Sequence, residues 1–329
     1  MLIKEFVLTF VDFCAGIGGG RLGLTLNGFE CLGFSEIDKE AIKTYKCFFD
    51  TSKELEFGDL TQLNPKSLPD FDLIISGFPC QSFSIVGKRA GLDDANKGQI
   101  IFHLAQILKT KQPKFFIFEN VKGLINHDKG RTFKIINELL QQCGYAVQSK
   151  LLNTQNFDLP QMRERIYFVG FRKDLQIKAD FFKPLTNGGG CKSLKEFLNP
   201  SPENKFDTAN PTFIKYLNNK YNKNRIQLDE ILKRDFLIID TRQSDLRIYE
   251  NKSPTLRRDR QGLLYSFKGE IYKLNALEAL KLQGFGELEN LKSKIKDLKS
   301  SDLLRQSGNA MSVNVIKALA KRLLEVLCG

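Results

Sequence analysis

Short apolar segments alternate with helix-forming segments through the first half of the chain, and this alternation limits the possible folds more than any other feature. The apolar runs have the length and the β-branched and aromatic content of buried strands. They are Phe6–Phe13, Glu30–Ser35, Phe71–Ser76, Lys114–Phe118, Tyr145–Leu152 and Ile166–Phe171. The segments between them have helical periodicity. Such alternation favours an α/β, Rossmann-like fold in which helices cover a mostly parallel sheet.

The pattern changes near Lys183. The stretch from there to residue 255 is rich in glycine, proline and polar residues, including the run NNKYNKNR at 218–225. Helical periodicity returns at Ala276–Leu282 and at Val313–Leu327. These features predict a second, smaller and loop-rich lobe.

Net charge is divided unevenly along the chain. Residues 1–170 contain 20 Lys and Arg against 19 Asp and Glu, a net charge of +1, whereas residues 171–329 contain 30 against 19, a net charge of +11. A basic surface of this kind either keeps the protein in solution or binds a polyanion. Charge alone leaves both interpretations open.

The cysteine and histidine content argues against a disulfide framework and a metal site. The chain has 7 cysteines without C-x-x-C spacing, and 2 histidines. No apolar run approaches the ~20 residues of a membrane-spanning helix. The segment Met1–Phe10 is apolar, but it contains Glu5 and no small-residue cleavage site. We therefore expect a lead-in strand rather than a signal peptide, and a cytoplasmic protein.

A glycine-rich turn, DFCAGIGGG from Asp12 to Gly20, follows the first strand. Glycines between a strand and a helix let a ligand approach the backbone closely. Glu36 follows the second strand, where its carboxylate can accept hydrogen bonds from ribose hydroxyls. Asp59 follows the next segment, where it could bind an adenine amino group. Together these positions predict a site for an adenosyl ligand.

Cys80 lies in GFPCQSFS, directly after the strand that ends at Ser76. A lone cysteine is most often an inert part of a core. In a proline-containing turn at the mouth of a parallel sheet, however, a thiolate is placed to act as a nucleophile. Flanking Pro79 and Gln81 make burial less favourable, so a reactive Cys80 is the sharper hypothesis.

Two further motifs supply charged side chains. Glu119 follows the strand KFFIF, where a carboxylate near Cys80 could hold or deliver a proton. The segment QMRER begins a predicted strand, so Arg163 and Arg165 are expected on the same face. Two guanidinium groups there could pair with Glu119 and bind an anionic or carbonyl substrate. A cluster of surface salt bridges is the alternative.

This ordered set of motifs resembles that of the DNA cytosine-5 methyltransferases, including the bacterial modification enzymes. The first half contributes DFCAGIGGG, SEID, GDL, GFPCQSFS, GLDDANKGQIIF, ENV and PQMRERIYFVG. The second half contributes SPTLRRDRQG, KLNALEALKLQGF and QSGNAMSVNV. The resemblance covers residues 8–172 and 242–327, and the combination of PCQ, ENV and QxRxR in this order is highly specific.

The resemblance implies a covalent mechanism with S-adenosylmethionine as methyl donor, double-stranded DNA as substrate and no metal. Cys80 would add to carbon 6 of a cytosine flipped out of the duplex, which makes carbon 5 electron-rich. Glu119 would hydrogen-bond the ring nitrogen at position 3. Arg165 would contact the base carbonyl and Glu119, and Arg163 would support the site.

The resemblance also implies binding residues and domain limits. The implied cofactor residues are Cys14, Gly16, Ile17, Gly18, Glu36, Ile37, Asp59, Leu60, Pro79, Ile100, Asn309 and Ala310. The implied DNA contacts are Gln81, Ser84, Gln161, Arg257 and Arg258. Residues 1–182 and 303–329 would form the catalytic domain, and residues 183–302 a target-recognition domain. Cys14 and Ile37 stand where the family usually has aromatic residues, which puts cofactor affinity in question but not the reaction class.

Other functions stay open at this point. A tRNA cytosine methyltransferase family shares nearly all of these motifs, but it usually has a PPCQ-type loop and a Cys-Phe-Thr signature, neither of which occurs here. A non-catalytic DNA-binding regulator of this fold would tend to lose Cys80 or Glu119, which are present. The turn AGIGGG fits the G-x-G-x-x-G of dinucleotide oxidoreductases poorly. The resemblance further suggests a restriction–modification system with a cognate endonuclease, and a monomer.

Overall fold

Two compact units make up the chain. In the computed structural model the described residues are 7–79, 100–187, 190–222, 226–242, 246–259 and 262–328. The first unit contains residues 1–153, 164–188 and 311–329, and the second contains residues 154–163 and 189–310. The chain therefore crosses between the units after residues 153, 163, 188 and 310.

The first unit is built on a seven-stranded sheet. Its strands are β1 (Thr9–Phe13), β2 (Glu30–Ser35), β3 (Leu55–Glu56), β4 (Leu73–Ser76), β5 (Phe115–Val121), β6 (Tyr145–Asn153) and β8 (Glu164–Arg172). The order is β3-β2-β1-β4-β5-β8-β6. Neighbouring strands are parallel except that β8 is antiparallel to both β5 and β6. The mostly parallel α/β sheet expected from the sequence is confirmed.

Helices pack against this sheet. They are α1 (Gly19–Thr25), α2 (Lys39–Phe48), α3 (Ile100–Lys111), α4 (Arg131–Gln142) and the last helix of the chain, α10 (Val313–Cys328). Val11 and Phe13 of β1 share a core with Leu104 of α3 and Leu140 of α4. α1 packs closely on α10, because a β-carbon at Gly23 would lie 2.6 Å from Ile316. The carboxyl ends of the central strands are thereby held in a rigid frame.

The second unit contains a four-stranded antiparallel sheet in the order β10-β9-β12-β13 and a two-stranded parallel pair, β7 with β11. These strands are β7 (Gln161–Met162), β9 (Ile238–Asp240), β10 (Arg247–Tyr249), β11 (Ser253–Pro254), β12 (Leu263–Phe267) and β13 (Glu270–Lys273). The helices are α5 (Pro211–Leu217), α6 (Leu228–Leu232), α7 (Ala276–Leu282), α8 (Leu291–Lys294) and α9 (Ser300–Asn309).

Some element bounds agree with the sequence-based predictions, and others differ by a few residues. β2 and α7 have the predicted bounds, and α7 begins with a capping box between Asn275 and Glu278. The stretch expected to be mainly loop contains α5, α6, β9 and β10. Phe213, Ile231 and Ile239 of these short elements form a core of their own, which a search for long periodic segments does not detect.

The limits of the units differ from the expected domain limits in three places. Residues 183–188 lie in the first unit, whereas the sequence placed them in the target-recognition domain. Residues 154–163 and 303–310 lie in the second unit, whereas the sequence placed them in the catalytic domain. Residues 154–163 belong there because β7 pairs with β11. α9 belongs there because it packs against α7. Assignment of the second unit to target recognition stays a prediction.

The described ranges contain no helix long and apolar enough to cross a membrane. Within the same ranges, no group of three or more His, Cys, Asp or Glu side chains is arranged to hold a metal ion. Cys14, Cys31, Cys143 and Cys191 are in the thiol form. The thiol chemistry of the chain therefore has to be considered residue by residue.

Candidate active site

The glycine-rich turn between β1 and α1 is packed on one side and open on the other. A β-carbon at Gly18, whose φ is 82°, would lie 2.3 Å from the Phe49 ring, and one at Gly19 would lie 2.2 Å from the Met311 carbonyl oxygen. At Gly16, whose φ is 56°, a β-carbon would meet no described atom within 4 Å. The turn is therefore supported from behind, while Gly16 leaves room for a ligand.

Cys14 and Ile17 occupy the same turn in different ways. Cys14 has a φ of 54°, a left-handed conformation that costs energy in a residue with a β-carbon. Burial, reinforced by the nearby Glu36 carboxylate, raises the pKa of the Cys14 thiol to about 12. The thiol is protonated near neutral pH and is not a nucleophile. Ile17 is buried, so its side chain packs in the protein interior.

Glu36 ties the end of β2 to the glycine turn. Its Oε2 accepts the Gly16 N–H at 2.8 Å, and its Oε1 accepts the N–H groups of Ile37 at 2.8 Å and Asp38 at 2.9 Å. These backbone donors fix the carboxylate beside the open side of the turn. Since Oε2 takes one bond, it keeps a lone pair for a ligand hydroxyl. Ile37 is 72% exposed, so its side chain is available to a ligand.

The segment after β3 supplies the next predicted contacts. Asp59 accepts bonds from the N–H and the hydroxyl of Thr61, both at 2.8 Å, which fixes its carboxylate. Leu60 is buried, and Ile100 packs against the same core. Phe57 also packs there and adds an aromatic ring two residues before Asp59. Phe57 was not among the predicted site residues, although its position immediately before GDL was the available signal.

These features fit an adenosyl ligand. The turn offers space at Gly16, carboxylates stand after two neighbouring strands at Glu36 and Asp59, and apolar side chains surround them. Acceptors of this type suit ribose hydroxyls and an adenine amino group. The donor set contains nothing that demands a phosphate.

Glu36→Gln is expected to weaken binding of S-adenosylmethionine about tenfold to a hundredfold. An amide nitrogen would replace one of the two oxygens and face a backbone N–H instead of accepting from it, and a lost bond to a charged group costs about 1.5–3 kcal/mol. Calorimetric titration measures the affinity. Glu40→Gln, at an exposed position in the first turn of α2, is the matched control. Equal affinities for the two variants would contradict the assignment.

Asp12, the last residue but one of β1, is a buried acid that sequence analysis treated only as part of the motif. It is fully buried, and neither carboxylate oxygen has a hydrogen-bond partner among the described residues. Burial raises the pKa of Asp12 to about 8, although the Arg21 charge opposes the change. Asp12 is therefore mainly neutral at pH 7. Side chains along a strand point alternately to its two faces, so Asp12 lies on the face of β1 opposite to Val11 and Phe13. This alternation was the signal that Asp12 is buried.

Glu119 and Arg165 form an ion pair across the antiparallel strands β5 and β8. Arg165 stands opposite Val121 in the ladder, so its side chain lies diagonal to Glu119 on one face. The Arg165 Nε is 3.0 Å from the Glu119 Oε1, and the two side chains are only 14% and 10% exposed. Arg165 also donates to the Glu164 carbonyl at 2.9 Å. The carboxylate is thus held by a charge-assisted contact in a mostly dry environment.

The entry to GFPCQSFS lies beside this ion pair. A β-carbon at Gly77 would be 3.7 Å from the Glu119 Oε2. The Asn120 side-chain amide donates to the Phe78 carbonyl at 2.9 Å, and Pro79 is exposed. Asn120 was not predicted as a site residue, although its place in ENV was the signal. It fixes the chain two residues before Cys80.

Some predicted site residues are not tested by this geometry. Cys80, Gln81 and Ser84 lie outside the described residues. Arg257 and Arg258 are exposed in the second unit, and their contact with DNA stays a prediction. The predicted cofactor residues Asn309 and Ala310 also belong to the second unit, whereas the other predicted cofactor residues belong to the first.

The structure corrects the expectation for Gln161. Its side chain is fully buried, its Nε2 donates to the Leu282 carbonyl at 2.9 Å, and its Oε1 accepts the Leu256 N–H at 3.0 Å. Both ends of the amide are bonded inside the second unit. The geometry therefore supports a structural role for Gln161 instead of the predicted DNA contact.

The structure also corrects the shared face expected for Arg163 and Arg165. The strand breaks between β7 and β8, because the Arg163 N–H turns back to the Gln161 carbonyl at 3.0 Å. Arg163 is 2% exposed, and its guanidinium group donates to the carbonyls of Gly308 at 3.1 Å and Ala310 at 2.9 Å. Among the described residues, Glu119 pairs with Arg165.

Comparison with known proteins identifies the family. The model of the family described as C-5 cytosine-specific DNA methylase matches residues 8–325. The chain belongs to this family. The match includes the stretch between residues 172 and 242, which the motifs had left uncovered.

Individual methylase relatives match over different lengths. The chain is 35% identical over 327 residues to the type II methyltransferase M.HaeII of Haemophilus aegyptius, which covers 96% of this chain and 93% of that protein. It is 49% identical over 170 residues to the orphan methyltransferase M.SPRI of Bacillus phage SPR, which covers 51% of this chain but only 38% of the phage protein. The S. pombe Dnmt2 methyltransferase structure has a TM-score of 0.66 at 17% identity and covers 97% of this chain and 99% of that chain. This last similarity is one of fold.

Proposed function

We propose that this protein is a DNA (cytosine-5)-methyltransferase that uses S-adenosylmethionine to methylate cytosine in a specific duplex sequence. The observation that carries the proposal is the buried Glu119–Arg165 pair. The second carboxylate oxygen of Glu119 faces Gly77, three residues before the cysteine of GFPCQSFS. A carboxylic group near the start of the cysteine loop suits a reaction in which a nucleobase is held and polarised while a thiolate attacks it.

The proposed reaction begins at Cys80 because carbon 5 of neutral cytosine is a poor nucleophile. The Cys80 thiolate forms a bond to carbon 6, and the electron pair of the 5,6 double bond becomes available at carbon 5. Glu119 donates a proton to the ring nitrogen at position 3, which neutralises the negative charge that thiolate addition would otherwise place on the ring. Arg165 holds Glu119 and contacts the base carbonyl.

When bound, S-adenosylmethionine would supply an electrophilic methyl group. Carbon 5 would form a bond to this methyl group as the methyl–sulfur bond breaks, and S-adenosylhomocysteine would be the leaving group. A base then removes the proton from carbon 5, the double bond reforms, and Cys80 leaves as the thiolate. Glu36 and Asp59 would accept hydrogen bonds from the adenosyl part, while Gly16 would allow it to approach the backbone. Ile37, Leu60, Pro79 and Ile100 would provide apolar contacts.

Carbon 5 cannot be reached inside a base-paired duplex, so the target cytosine has to be flipped out. Gln81 and Ser84 are proposed to line the flipped base or the gap it leaves. The second half of the chain carries a net charge of +11, which suits contacts with DNA phosphates. Arg257 and Arg258, both exposed, are the proposed contacts there.

The M.HaeII relative is described as a type II methyltransferase. By analogy, we propose that this protein serves a restriction–modification system in the cytoplasm, with an endonuclease that cuts the same sequence. DNA methylated by the protein would then resist that nuclease. Full cleavage of methylated DNA by every nuclease produced in the same cell would contradict this part of the proposal.

Bisulfite sequencing tests the DNA specificity. Unmethylated genomic DNA is incubated with the protein and S-adenosylmethionine, and every converted and unconverted cytosine is mapped. The proposal predicts protected cytosines at one position within a short recurrent sequence. Complete conversion of all cytosines, or protection without a common sequence, would contradict a sequence-specific DNA enzyme.

A further inference from the structure

Arg163 is the last residue of the segment 154–163, where the chain leaves the second unit for the first. The chain also crosses between the units after Asn153 and after Ala310. Arg163 is one of the largest fully buried side chains of the protein. All of its contacts described below lie within the second unit.

Hydrogen bonds of backbone and hydroxyl groups connect the residues at the crossings after Asn153 and after Arg163. The Thr154 N–H donates to the Arg163 carbonyl at 3.1 Å, and the Arg163 N–H lies 3.3 Å from the Thr154 hydroxyl oxygen. The same hydroxyl donates to the Gln161 carbonyl. The two ends of the segment 154–163 are consequently fixed to each other.

The Arg163 guanidinium group also bonds the segment that ends at the third crossing, after Ala310. It donates to the carbonyls of Gly308 and Ala310, at 3.1 and 2.9 Å, and lies 3.5 Å from that of Leu256. A β-carbon at Gly308 would be 2.3 Å from the Arg257 carbonyl carbon, so no side chain separates these two segments. A planar guanidinium group, with five donors in a fixed arrangement, is well suited to bond carbonyls from separate segments at once.

The residues that follow Arg163 and Ala310 lie in two parts of the candidate active site, the Glu119–Arg165 ion pair and the glycine-rich turn. Two residues after Arg163, Arg165 pairs with Glu119. One residue after Ala310, the Met311 carbonyl faces Gly19 of the glycine turn. Arg163 is therefore linked through Arg165 to the carboxylate proposed to hold the base, and through Ala310 and Met311 to the turn proposed to hold the methyl donor.

We propose that Arg163 is a positioning residue that sets both halves of the site together. It touches neither substrate nor cofactor. Through Glu164 it fixes the register of Arg165 on β8, and through Ala310 it fixes Met311 behind the glycine turn. This inference rests on the proposed function, and it assigns to Arg163 a coupling role in place of a direct catalytic one.

Arg163→Lys is the test, because lysine keeps the charge but concentrates its donors at one point. We expect the kcat for DNA methylation to fall about 10- to 100-fold, as small misplacements of reacting groups do. The Kd for S-adenosylmethionine, measured by calorimetry, is expected to rise in the same variant. Thermal unfolding records the loss of stability.

Arg242→Lys is the matched control. Arg242 is also buried in the second unit, where it pairs with Asp240 at 2.7 Å and donates to the Thr255 carbonyl. Even if Arg242→Lys lowers Tm as much as Arg163→Lys does, it should keep both kcat and Kd within about twofold of wild type. If Arg163→Lys lowers Tm but leaves kcat or Kd like the control, the coupling role is overturned.

Arg163→Gln, which keeps one amide donor at a shorter reach, replaces the lysine variant if that protein cannot be purified. It should show the same joint change in kcat and Kd, and a change in only one of them overturns the proposal. Wild-type protein that does not methylate DNA would refute the proposed function. The effect of Arg163 on S-adenosylmethionine binding, measured without DNA, would still decide the positioning role.

Discussion

Glu119→Gln is expected to lower kcat by about a thousandfold, within the range that a positioned acid–base group contributes. The amide has nearly the volume of the carboxylate, so packing between β5 and β8 should be kept. It can neither deliver a proton to the ring nitrogen at position 3 nor provide the carboxylate that pairs with Arg165 at 3.0 Å. Single-turnover methylation at saturating DNA and S-adenosylmethionine measures the effect on chemistry.

Glu138→Gln on the exposed surface of α4 is the matched control and should retain wild-type kcat. Binding of both substrates to the Glu119 variant should stay close to wild type, because the expected loss falls on the transition state. A Glu119→Gln enzyme with near-normal kcat would remove the carboxylate from the mechanism. The ion pair would then be structural.

Cys80→Ser is expected to abolish methylation, with a decrease on the order of a thousandfold or more, as for removal of other covalent nucleophiles. A serine hydroxyl is a much weaker nucleophile than a thiolate at neutral pH. DNA binding should persist because the substitution is small. Methyl transfer is measured together with covalent trapping of the protein on DNA that contains 5-fluorocytosine. Fluorine replaces the hydrogen at carbon 5, so a base cannot remove a proton there and the covalent complex persists.

Wild-type protein should form a denaturation-resistant covalent complex with the fluorinated DNA, and Cys80→Ser should form none. Cys191→Ser, which changes an exposed thiol elsewhere, should behave like wild type. Cys14 is a poor alternative nucleophile because burial raises its pKa to about 12. Trapping of the Cys80 variant at the wild-type level would contradict the covalent mechanism.

The sequence predicted the first unit well because its physical signals are local. Apolar runs such as Glu30–Ser35 between turns indicate buried strands, and glycines mark where the chain must turn tightly or pack closely. Asp38 caps α2 with bonds to the N–H groups of Glu40 and Ala41, a signal that is also readable locally. The carboxylates at strand ends followed from the parallel arrangement itself.

Long-range contacts explain most of what the sequence could not predict. The partner of Arg163 is the backbone near Ala310, 147 residues away, and carbonyl acceptors leave no trace in a side-chain pattern. The same applies to Gln161 and Leu282, 121 residues apart. Alternation along a continuous strand placed Arg163 beside Arg165, but a local turn at the end of β7 removed that relation. Predictions from period-2 patterns fail wherever the backbone breaks register.

The second unit was harder to predict because its elements are short. Strands such as Ile238–Asp240 contain three residues, too few for alternation to be distinguished from chance. Its sheet joins segments from both sides of the stretches 243–245 and 260–261. Composition predicted a separate lobe and an excess of basic residues in the second half of the chain, but it carries no information on which side chains contact base edges. The target sequence therefore has to be measured.

Transfer of labelled methyl groups from S-adenosylmethionine, assayed separately on unmethylated genomic DNA and on bulk tRNA with identification of the product base, tests the central claim most directly. The account predicts label in DNA as 5-methylcytosine and none in tRNA, with loss of the DNA signal in Cys80→Ser. Label confined to tRNA, or absent from both nucleic acids, would contradict it.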